Sequence, residues 1–210
     1  GGKRGTAGEI KGQAYDELKK RVRKYAEADL NVLFVGENGS GKEVFGKYYV
    51  KKSKRTKSYT VNCAGVSDEL MHSMVFGHVK GAFTGATMGR NGAIHESEGG
   101  VLFLDEIGDA SEAFQAAILR VVEGNSYNKL GDDKQIQPKN VTIIAATNKP
   151  EKVREDLKHR FTIAFIPPLQ KSDIPVLAKY FLIENLKPEY VEFLKQKEYT
   201  GNIRELKREC

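Results

Sequence analysis

Short apolar runs alternate along most of this chain with segments of helical pattern, and this alternation limits the folds that the chain can adopt. The apolar runs predict strands over residues 31–35, 59–62, 101–109, 141–148 and 161–166. Between them, apolar residues spaced three or four apart predict helices over residues 13–28, 42–50, 67–74 and 111–123. Strands that alternate with helices favour an α/β fold, in which helices flank a central, mostly parallel sheet.

The pattern changes after the Pro167-Pro168 pair, where the strand signal ends. Three further helices are predicted there, over residues 172–186, 189–196 and 202–210. We therefore predict an α/β domain over residues 1–168 and a small helical lid over residues 169–210. One sheet domain with a small companion suits a chain of 210 residues of which 40% are hydrophobic.

Three features of the composition narrow the setting of the protein. No apolar run approaches the roughly 20 residues that a membrane-spanning helix needs, and the N-terminal GGKRGTAG lacks the apolar stretch of a signal peptide. Cys63 and Cys210 cannot build a disulfide framework, which favours a cytoplasmic location. The formal net charge of +6 permits contact with phosphates, but it does not choose between a nucleotide and a nucleic acid.

A glycine-rich loop follows the first predicted strand and precedes the second predicted helix. Its residues GENGSGK, Gly36 to Lys42, fit the pattern G-x-x-x-x-G-K. Glycines let successive backbone N–H groups surround a phosphate, the following helix adds a partial positive charge, and Lys42 can reach the outer phosphates. The motif usually continues with Ser or Thr, whose hydroxyl meets Mg²⁺, whereas this chain has Glu43. The loop thus predicts a nucleotide site with one unusual position.

Two acidic residues after the apolar run VLFL complete the pattern of a nucleoside triphosphatase. Asp105 and Glu106 come at the end of a predicted buried strand. In that position Asp105 can bind Mg²⁺ or its water ligands, and Glu106 can polarise the water that attacks the γ-phosphate. Such a pair alone more often forms a solvated turn, but beside a phosphate loop it favours hydrolysis of a nucleoside triphosphate.

Six motifs extend this interpretation to most of the chain: GENGSGKE, GAFTGA, GGVLFLDEIGD, IAATN, VREDLKHRF and GNIREL. From about residue 12 to residue 206 the sequence resembles the AAA+ ATPase domain of bacterial enhancer-binding proteins, which are sigma-54-dependent transcription activators. Glu43 agrees with this family, whose phosphate loop reads GK followed by Glu. The chain departs from the family's usual Trp-Pro before Gly-Asn, where it has Tyr199-Thr200.

The resemblance implies ATP and Mg²⁺ as ligands and gives a role to each motif residue. Asp105 would assist Mg²⁺, Glu106 would activate water, and Asn62 would restrain Glu106 until the γ-phosphate is sensed. Arg154 and Arg160 would act as fingers on the ATP of a neighbouring subunit. The residues implied in nucleotide binding are Gly36, Glu37, Asn38, Gly39, Ser40, Gly41, Lys42 and Glu43 of the phosphate loop, Thr147 and Asn148 of the first sensor, and Arg204 of the second sensor.

The resemblance also implies a protein partner for the loop GAFTGA. Its residues are Gly81, Ala82, Phe83, Thr84, Gly85 and Ala86. Glycines near both ends permit sharp reversals, which would present Phe83 and Thr84 at the tip. In the family this loop grips the sigma-54 factor of RNA polymerase and transfers the energy of hydrolysis to the closed promoter complex. A homo-oligomeric ring, a hexamer in the family, would supply the finger arginines, and DNA contact would fall to a domain absent from this chain.

Two other functions stay open on the residues alone. The chain could be an AAA+ ATPase that remodels a different protein partner, an interpretation that only the GAFTGA loop opposes. It could also be a non-catalytic module that binds nucleotide or nucleic acid, for which the basic segment KKSKRTK, residues 51–57, is suited. The same segment has a simpler interpretation as a solvated loop between a helix and a strand. ATP turnover and binding to sigma-54 together separate the three functions.

Overall fold

A computed structural model describes residues 13–182 and 187–210 as a sheet with helices on both faces. The strands are β1 (Val32–Val35), β2 (Ser58–Asn62), β3 (Gly77–His78), β4 (Arg90–Asn91), β5 (Val101–Asp105), β6 (Tyr127–Asn128), β7 (Gln135–Ile136), β8 (Thr142–Thr147) and β9 (Thr162–Phe165). The helices are α1 (Gln13–Glu27), α2 (Lys42–Lys52), α3 (Asp68–Phe76), α4 (Ala93–Glu96), α5 (Glu112–Val122), α6 (Glu155–Lys158), α7 (Ile174–Leu182), α8 (Pro188–Gln196) and α9 (Asn202–Glu209). None of these described helices is both long and apolar enough to cross a membrane.

Five parallel strands form the central sheet in the order β2-β5-β8-β1-β9. The predicted α/β class is therefore confirmed, and all five predicted strands take part in the sheet. β1, the first strand of the chain, lies between β8 and β9, so that the strand order reverses beside it. In such sheets a ligand binds at the carboxyl ends of the strands, next to the reversal. The ends of β1, β8 and β5 lie side by side at this edge.

Alternate residues of the strands enter two separate cores. From β1, Val32 and Phe34 pack with α1 and α2 on one face, while Leu33 and Val35 pack with α3 and α5 on the other. The C-terminal helices join the first core through buried residues of α7, α8 and α9, namely Leu177, Leu194 and Leu206. The helices beyond Pro168 thus pack on the same side of the sheet as α1 and α2.

The structure differs from the sequence prediction at several places. The strand predicted over 101–109 ends at Asp105, because Glu106 adopts a left-handed conformation (φ 54°) that breaks the extended backbone. Two antiparallel pairs, β3 with β4 and β6 with β7, form where the sequence predicts no strand, since two residues are too few to show an alternating pattern. The helix predicted over 172–186 begins at Ile174, and residues 183–186 lie outside the described part of the chain.

The basic segment 51–57 contains one cation that ties the fold together. Arg55 donates to the two carboxylate oxygens of Asp29 at 2.7 and 2.8 Å, and to the side-chain oxygen of Asn140 at 2.9 Å. The Thr142 hydroxyl donates to the same carboxylate at 3.1 Å. These bonds join three loops at the amino ends of the strands, and they favour the interpretation of this segment as part of the fold.

Arg55→Ala is expected to lower the free energy of unfolding by about 1–2 kcal/mol at neutral pH, because charged hydrogen bonds are lost while half-exposed Asp29 regains water. The Arg55 guanidinium holds the pKa of Asp29 below its usual value. The stabilisation is therefore full above the unfolded-state pKa of about 3.9 and is lost as the pH falls through the lowered folded-state pKa. Urea unfolding should show a deficit that shrinks in acid, whereas Lys51→Ala, at an exposed position, should show none. A deficit that is equal at neutral and acidic pH would contradict this account.

Candidate active site

The loop between β1 and α2 surrounds the side chain of Lys42. Gly39 and Gly41 adopt positive φ angles of 76° and 100°, which residues with a side chain rarely adopt. The Lys42 ammonium group donates to the carbonyl oxygens of Gly36 and Glu37 at 3.0 and 3.2 Å, and its side chain is only 6% exposed. A buried cation beside backbone amides at a helix N-terminus is suited to binding phosphate groups.

Ser40 in this loop and Gly46 in the helix after it also suit the site to a triphosphate. The Ser40 hydroxyl is fully buried and has no hydrogen-bond partner among the described residues, and it could donate a hydrogen bond to a phosphate oxygen. Gly46 lets α2 approach β5, because a Cβ atom at this position would lie 2.7 Å from the ring of Phe103. This close packing holds the helix that carries Lys42 directly against the strand that delivers the acidic residues.

The two acidic residues meet the phosphate loop at the end of β5. Glu106 Oε1 lies 3.3 Å from Lys42 Nζ, and Glu106 Oε2 accepts from the backbone N–H of Asn148 at 3.2 Å. The left-handed backbone of Glu106 is strained, as is frequent at active sites. Asp105 accepts from the backbone N–H of Glu106 at 3.1 Å, and burial together with the Glu106 charge raises the pKa of Asp105. A carboxylate in these surroundings favours a cationic partner.

The predicted first sensor lies at the end of β8. Thr147 is fully buried, and its hydroxyl accepts from the backbone N–H of Lys149 at 2.9 Å. The same hydroxyl lies against the turn after Glu106, because a Cβ atom on Gly108 would be 2.6 Å from it. Thr147 therefore supports this turn, whereas Asn148 reaches the Glu106 carboxylate through its backbone N–H.

Asn62 lies at the end of β2, in register with Asp105 of β5. Its side chain is exposed, and its Oδ1 accepts from the backbone N–H of Ala64 at 2.9 Å. Within the described ranges, the Glu106 carboxylate bonds to Asn148 and Lys42 rather than to Asn62. The structure thus brings Asn62 to the same edge of the sheet without joining its side chain to Glu106.

Arg154 and Arg160 lie on either side of α6. Arg154 binds the two carboxylate oxygens of Asp156 at 3.0 and 2.6 Å, and Arg160 binds Glu123 at 2.5 Å. The Arg160 side chain is 54% exposed and that of Arg154 is 34% exposed. Among the described contacts, neither arginine bonds to the phosphate loop of its own chain, and both are held by carboxylates near the surface.

Asn202 is a site residue that sequence reasoning missed. It begins α9, is 2% exposed, and donates to the Glu37 carboxylate at 2.9 Å and to the Asn38 carbonyl oxygen at 3.2 Å. Arg204, further along the helix, packs against Gly39 of the phosphate loop. A Cβ atom built on Gly39 would lie 3.1 Å from the Cβ atom of Arg204. α9 therefore packs directly on the phosphate loop and brings the predicted second sensor to it. The Gly-Asn pair at the start of α9 is also typical of an ordinary helix N-terminus, so the sequence alone does not predict this contact.

The GAFTGA loop lies between β3 and β4. Gly81 and Gly85 have positive φ angles of 82° and 98°, and the Gly81 N–H donates to the Ala86 carbonyl oxygen at 2.8 Å. Thr84 is exposed, as the prediction of a tip residue requires. Phe83, which is predicted to lie at the tip beside Thr84, is half-buried.

His78 explains the position of Phe83, and no local sequence pattern indicates this contact. The two rings pack edge to face with centroids 5.1 Å apart. The ring nitrogens of His78 bond to the Ser73 hydroxyl at 2.8 Å and to the Met88 carbonyl oxygen at 3.0 Å. One imidazole thus connects α3 to both ends of the loop.

The described residues contain no group of three or more His, Cys, Asp or Glu side chains that could hold a metal ion. Mg²⁺ usually binds through one or two carboxylates together with substrate phosphates, rather than in a cage of protein ligands. Asp105, at the strand end beside the phosphate loop, fits that mode of binding.

Comparison with known proteins gives matches over most of the chain. The family profile described as the sigma-54 interaction domain matches residues 10–166. The anaerobic nitric oxide reductase transcription regulator NorR of Aliivibrio fischeri is 38% identical over 216 residues, an alignment that covers 92% of this chain and 42% of NorR. NorR of Aeromonas hydrophila is 39% identical with the same coverage. The chain thus spans less than half the length of these relatives.

Solved structures give a consistent picture. NtrX from Brucella abortus in complex with ATP has a TM-score of 0.81 and 26% identity, over 98% of this chain and 51% of NtrX. The Holliday junction branch migration motor RuvB from Thermotoga maritima has a TM-score of 0.68 and 17% identity, over 94% of this chain and 60% of RuvB. The second likeness concerns the fold alone.

Proposed function

Because this chain belongs to the family of sigma-54 interaction domains and has the AAA+ P-loop ATPase fold, we propose that it hydrolyses ATP to remodel the closed complex of RNA polymerase and sigma-54. The observation that carries this proposal is the meeting of three strand ends at one site, where buried Lys42 lies 3.3 Å from Glu106. The similarity to NtrX, whose structure holds ATP, supports ATP as the nucleotide. Contact with DNA is assigned to a further domain of the whole protein.

Lys42 exchanges its contacts when it binds phosphate. Its ammonium group contacts two loop carbonyl groups and the Glu106 carboxylate. Phosphate oxygens compete for this ammonium group, since ionised acceptors form stronger hydrogen bonds than carbonyl groups. Glu106 then loses its cationic partner but keeps the N–H of Asn148, which orients the carboxylate to accept a proton from water.

Asp105 is the residue that would hold Mg²⁺. When bound, Mg²⁺ neutralises charge on the phosphates and orients them. The backbone N–H of Glu106 fixes the Asp105 carboxylate, so that it enters the site with one orientation. The Ser40 hydroxyl and the amides of the phosphate loop would donate to phosphate oxygens.

A ring of identical subunits, proposed to be a hexamer, completes the site. The Arg154 and Arg160 side chains are 34% and 54% exposed and make no described bond to the phosphate loop of their own chain, so we assign them to the nucleotide of a neighbour. An arginine placed on the transferring phosphoryl group accelerates hydrolysis by about 10³–10⁵-fold. The segment 169–210 acts as the lid, and its helix α9 brings Arg204 to the nucleotide.

The GAFTGA loop is the surface proposed to bind sigma-54. Thr84 is exposed at its tip, while Phe83 is held at its base by His78. The backbone hydrogen bonds that close the loop join residues only two to five positions apart, which suits a segment that changes position with the state of the nucleotide.

If each subunit supplies its arginines to the nucleotide of its neighbour, two inactive variants should complement each other in a mixed ring. Arg160→Ala and Glu106→Gln are each expected to lack turnover. Their equal mixture should recover about a quarter of the wild-type rate, the share of neighbouring pairs that join an intact Glu106 to an intact Arg160. Phosphate release is measured over a range of protein concentrations, with and without sigma-54. In wild type, turnover per chain should rise with concentration.

The matched control mixes either variant with the double variant Glu106→Gln/Arg160→Ala, a mixture that should recover nothing. Two inactive single variants whose mixture stays inactive would contradict a finger supplied by the neighbour. Turnover in a protein that does not bind sigma-54 would favour a different remodelling partner. A wild type without turnover, whose DNA binding falls steeply with salt, would favour a non-catalytic module.

A further inference from the structure

Glu37 places a negative charge in a loop that is built to bind an anion. An unpaired carboxylate beside the triphosphate would repel the phosphate groups. The structure pairs this carboxylate with Asn202 Nδ2, which donates to Glu37 Oε2 at 2.9 Å. The same Nδ2 group donates to the carbonyl oxygen of Asn38 at 3.2 Å. The amide group of Asn202 is thus directed at two adjacent residues of the phosphate loop.

The carboxamide of Asn202 also binds a third segment. Its Oδ1 accepts from the backbone N–H of Leu169 at 2.9 Å, directly after the Pro167-Pro168 pair. One side chain that is 2% exposed therefore joins the phosphate loop, the start of the lid and the first residue of α9. Buried amides with all their groups bonded hold the joined segments in one arrangement.

The backbone on either side leaves Asn202 little freedom. Asn202 has a φ angle of 55°, a left-handed conformation that asparagine adopts more readily than most residues. The preceding residue, Gly201, lies against the loop, because a Cβ atom on Gly39 would be 2.2 Å from the Gly201 carbonyl oxygen. α9 and the phosphate loop are therefore in direct backbone contact at this point.

We propose that Asn202 is a positioning residue that latches α9 to the phosphate loop, holding the Glu37 carboxylate on the lid side and Arg204 beside the nucleotide. The proposal rests on the proposed function, since it assumes that the loop binds ATP. The site requires an asparagine: an aspartate has no N–H to donate and would set a second negative charge opposite Glu37, and a glutamine is longer by one methylene group.

Asn202→Gly tests the latch, because glycine accepts the positive φ angle while the carboxamide is lost. We expect the Leu169 amide to exchange with solvent at least about tenfold faster, since it loses its acceptor. The Ile166 amide, which donates to the Val35 carbonyl oxygen at 2.7 Å, should exchange as in wild type and reports on the sheet. Hydrogen exchange followed by nuclear magnetic resonance resolves both amides.

Nucleotide affinity separates positioning from a merely structural role. In Asn202→Gly the affinity for ATPγS should fall about tenfold and that for ADP by less than about threefold, because repulsion by a released Glu37 carboxylate grows with the charge of the ligand. Lys207→Ala, at an exposed position of α9, is the matched control and should leave both affinities unchanged. Equal losses for the two nucleotides, or no loss together with faster Leu169 exchange, would overturn the proposal.

Asn202→Asp, alone and combined with Glu37→Gln, tests the pairing by rescue, which a loss of binding through local unfolding would not show. Asn202→Asp should weaken ATPγS binding, and adding Glu37→Gln should then raise the affinity about tenfold more than Glu37→Gln alone raises it in wild type, because a donor and an acceptor again face each other with reversed polarity. Failure of the second substitution to restore binding would overturn the pairing of these two residues. A wild type that binds neither nucleotide would instead overturn the proposed function, while Leu169 exchange would still report on the hydrogen bond itself.

Discussion

Glu106→Gln is expected to lower the turnover of ATP by about 10²–10⁴-fold, the loss typical of a missing general base. Glutamine has nearly the same shape as glutamate, so the end of β5 and the turn after it should be retained, but its amide cannot take a proton from water. Phosphate release is measured at a protein concentration at which turnover per chain no longer rises. Glu17→Gln is the control, because Glu17 lies on the exposed face of α1, where it pairs with Lys20.

The same substitution should leave nucleotide affinity unchanged or raise it by up to about fivefold. In wild type, Glu106 lies 3.3 Å from the Lys42 ammonium group and competes with phosphate oxygens for it. The Lys42 ammonium group only exchanges one acceptor for another, so the net gain is about 1 kcal/mol, the usual contribution of one hydrogen bond. Titration with ATPγS measures the affinity. Loss of binding together with turnover would assign Glu106 a structural role, and wild-type turnover would contradict its role as the base.

The residues of the site that the sequence predicts are those whose position follows from a local motif. Lys42 begins a helix after a glycine-rich loop, and Asp105 and Glu106 follow a buried strand. Since all five strands are parallel, their carboxyl ends share one edge, and the topology alone brings these residues together. The strained turn at Glu106 is the exception, because an apolar run does not show where the backbone leaves the extended conformation.

Contacts between distant parts of the chain leave no such local pattern. Asn202 meets Glu37 across 165 positions, and Arg55 meets Asn140 across 85. Each contact depends on how loops fold at one end of the strands, the carboxyl ends for Asn202 and the amino ends for Arg55, which neither periodicity nor composition encodes. Local motifs therefore predict the chemistry of the site, while the attachment of α9 to the phosphate loop is seen only in the structure.

Thr84→Ala is expected to abolish promoter opening by sigma-54 RNA polymerase while ATP turnover stays within about twofold of wild type. The Thr84 side chain is exposed, and backbone bonds close the loop, from the Gly81 N–H to Ala86 at 2.8 Å and from the Ala86 N–H to Phe83 at 3.0 Å. The substitution therefore removes part of a contact surface without removing a bond that shapes the loop. Open-complex formation on promoter DNA and phosphate release are measured on the same samples.

Thr87→Ala is the matched control, because it makes the same chemical change at an exposed position just outside the hexapeptide. It should retain both promoter opening and turnover. Loss of opening in Thr84→Ala alone would place the coupling at the loop tip, since the nucleotide site still works and the neighbouring threonine is dispensable. Normal opening by Thr84→Ala would contradict the proposed grip on sigma-54. Equal failure of both variants would show that the loop transmits force through its overall fold rather than through the Thr84 side chain.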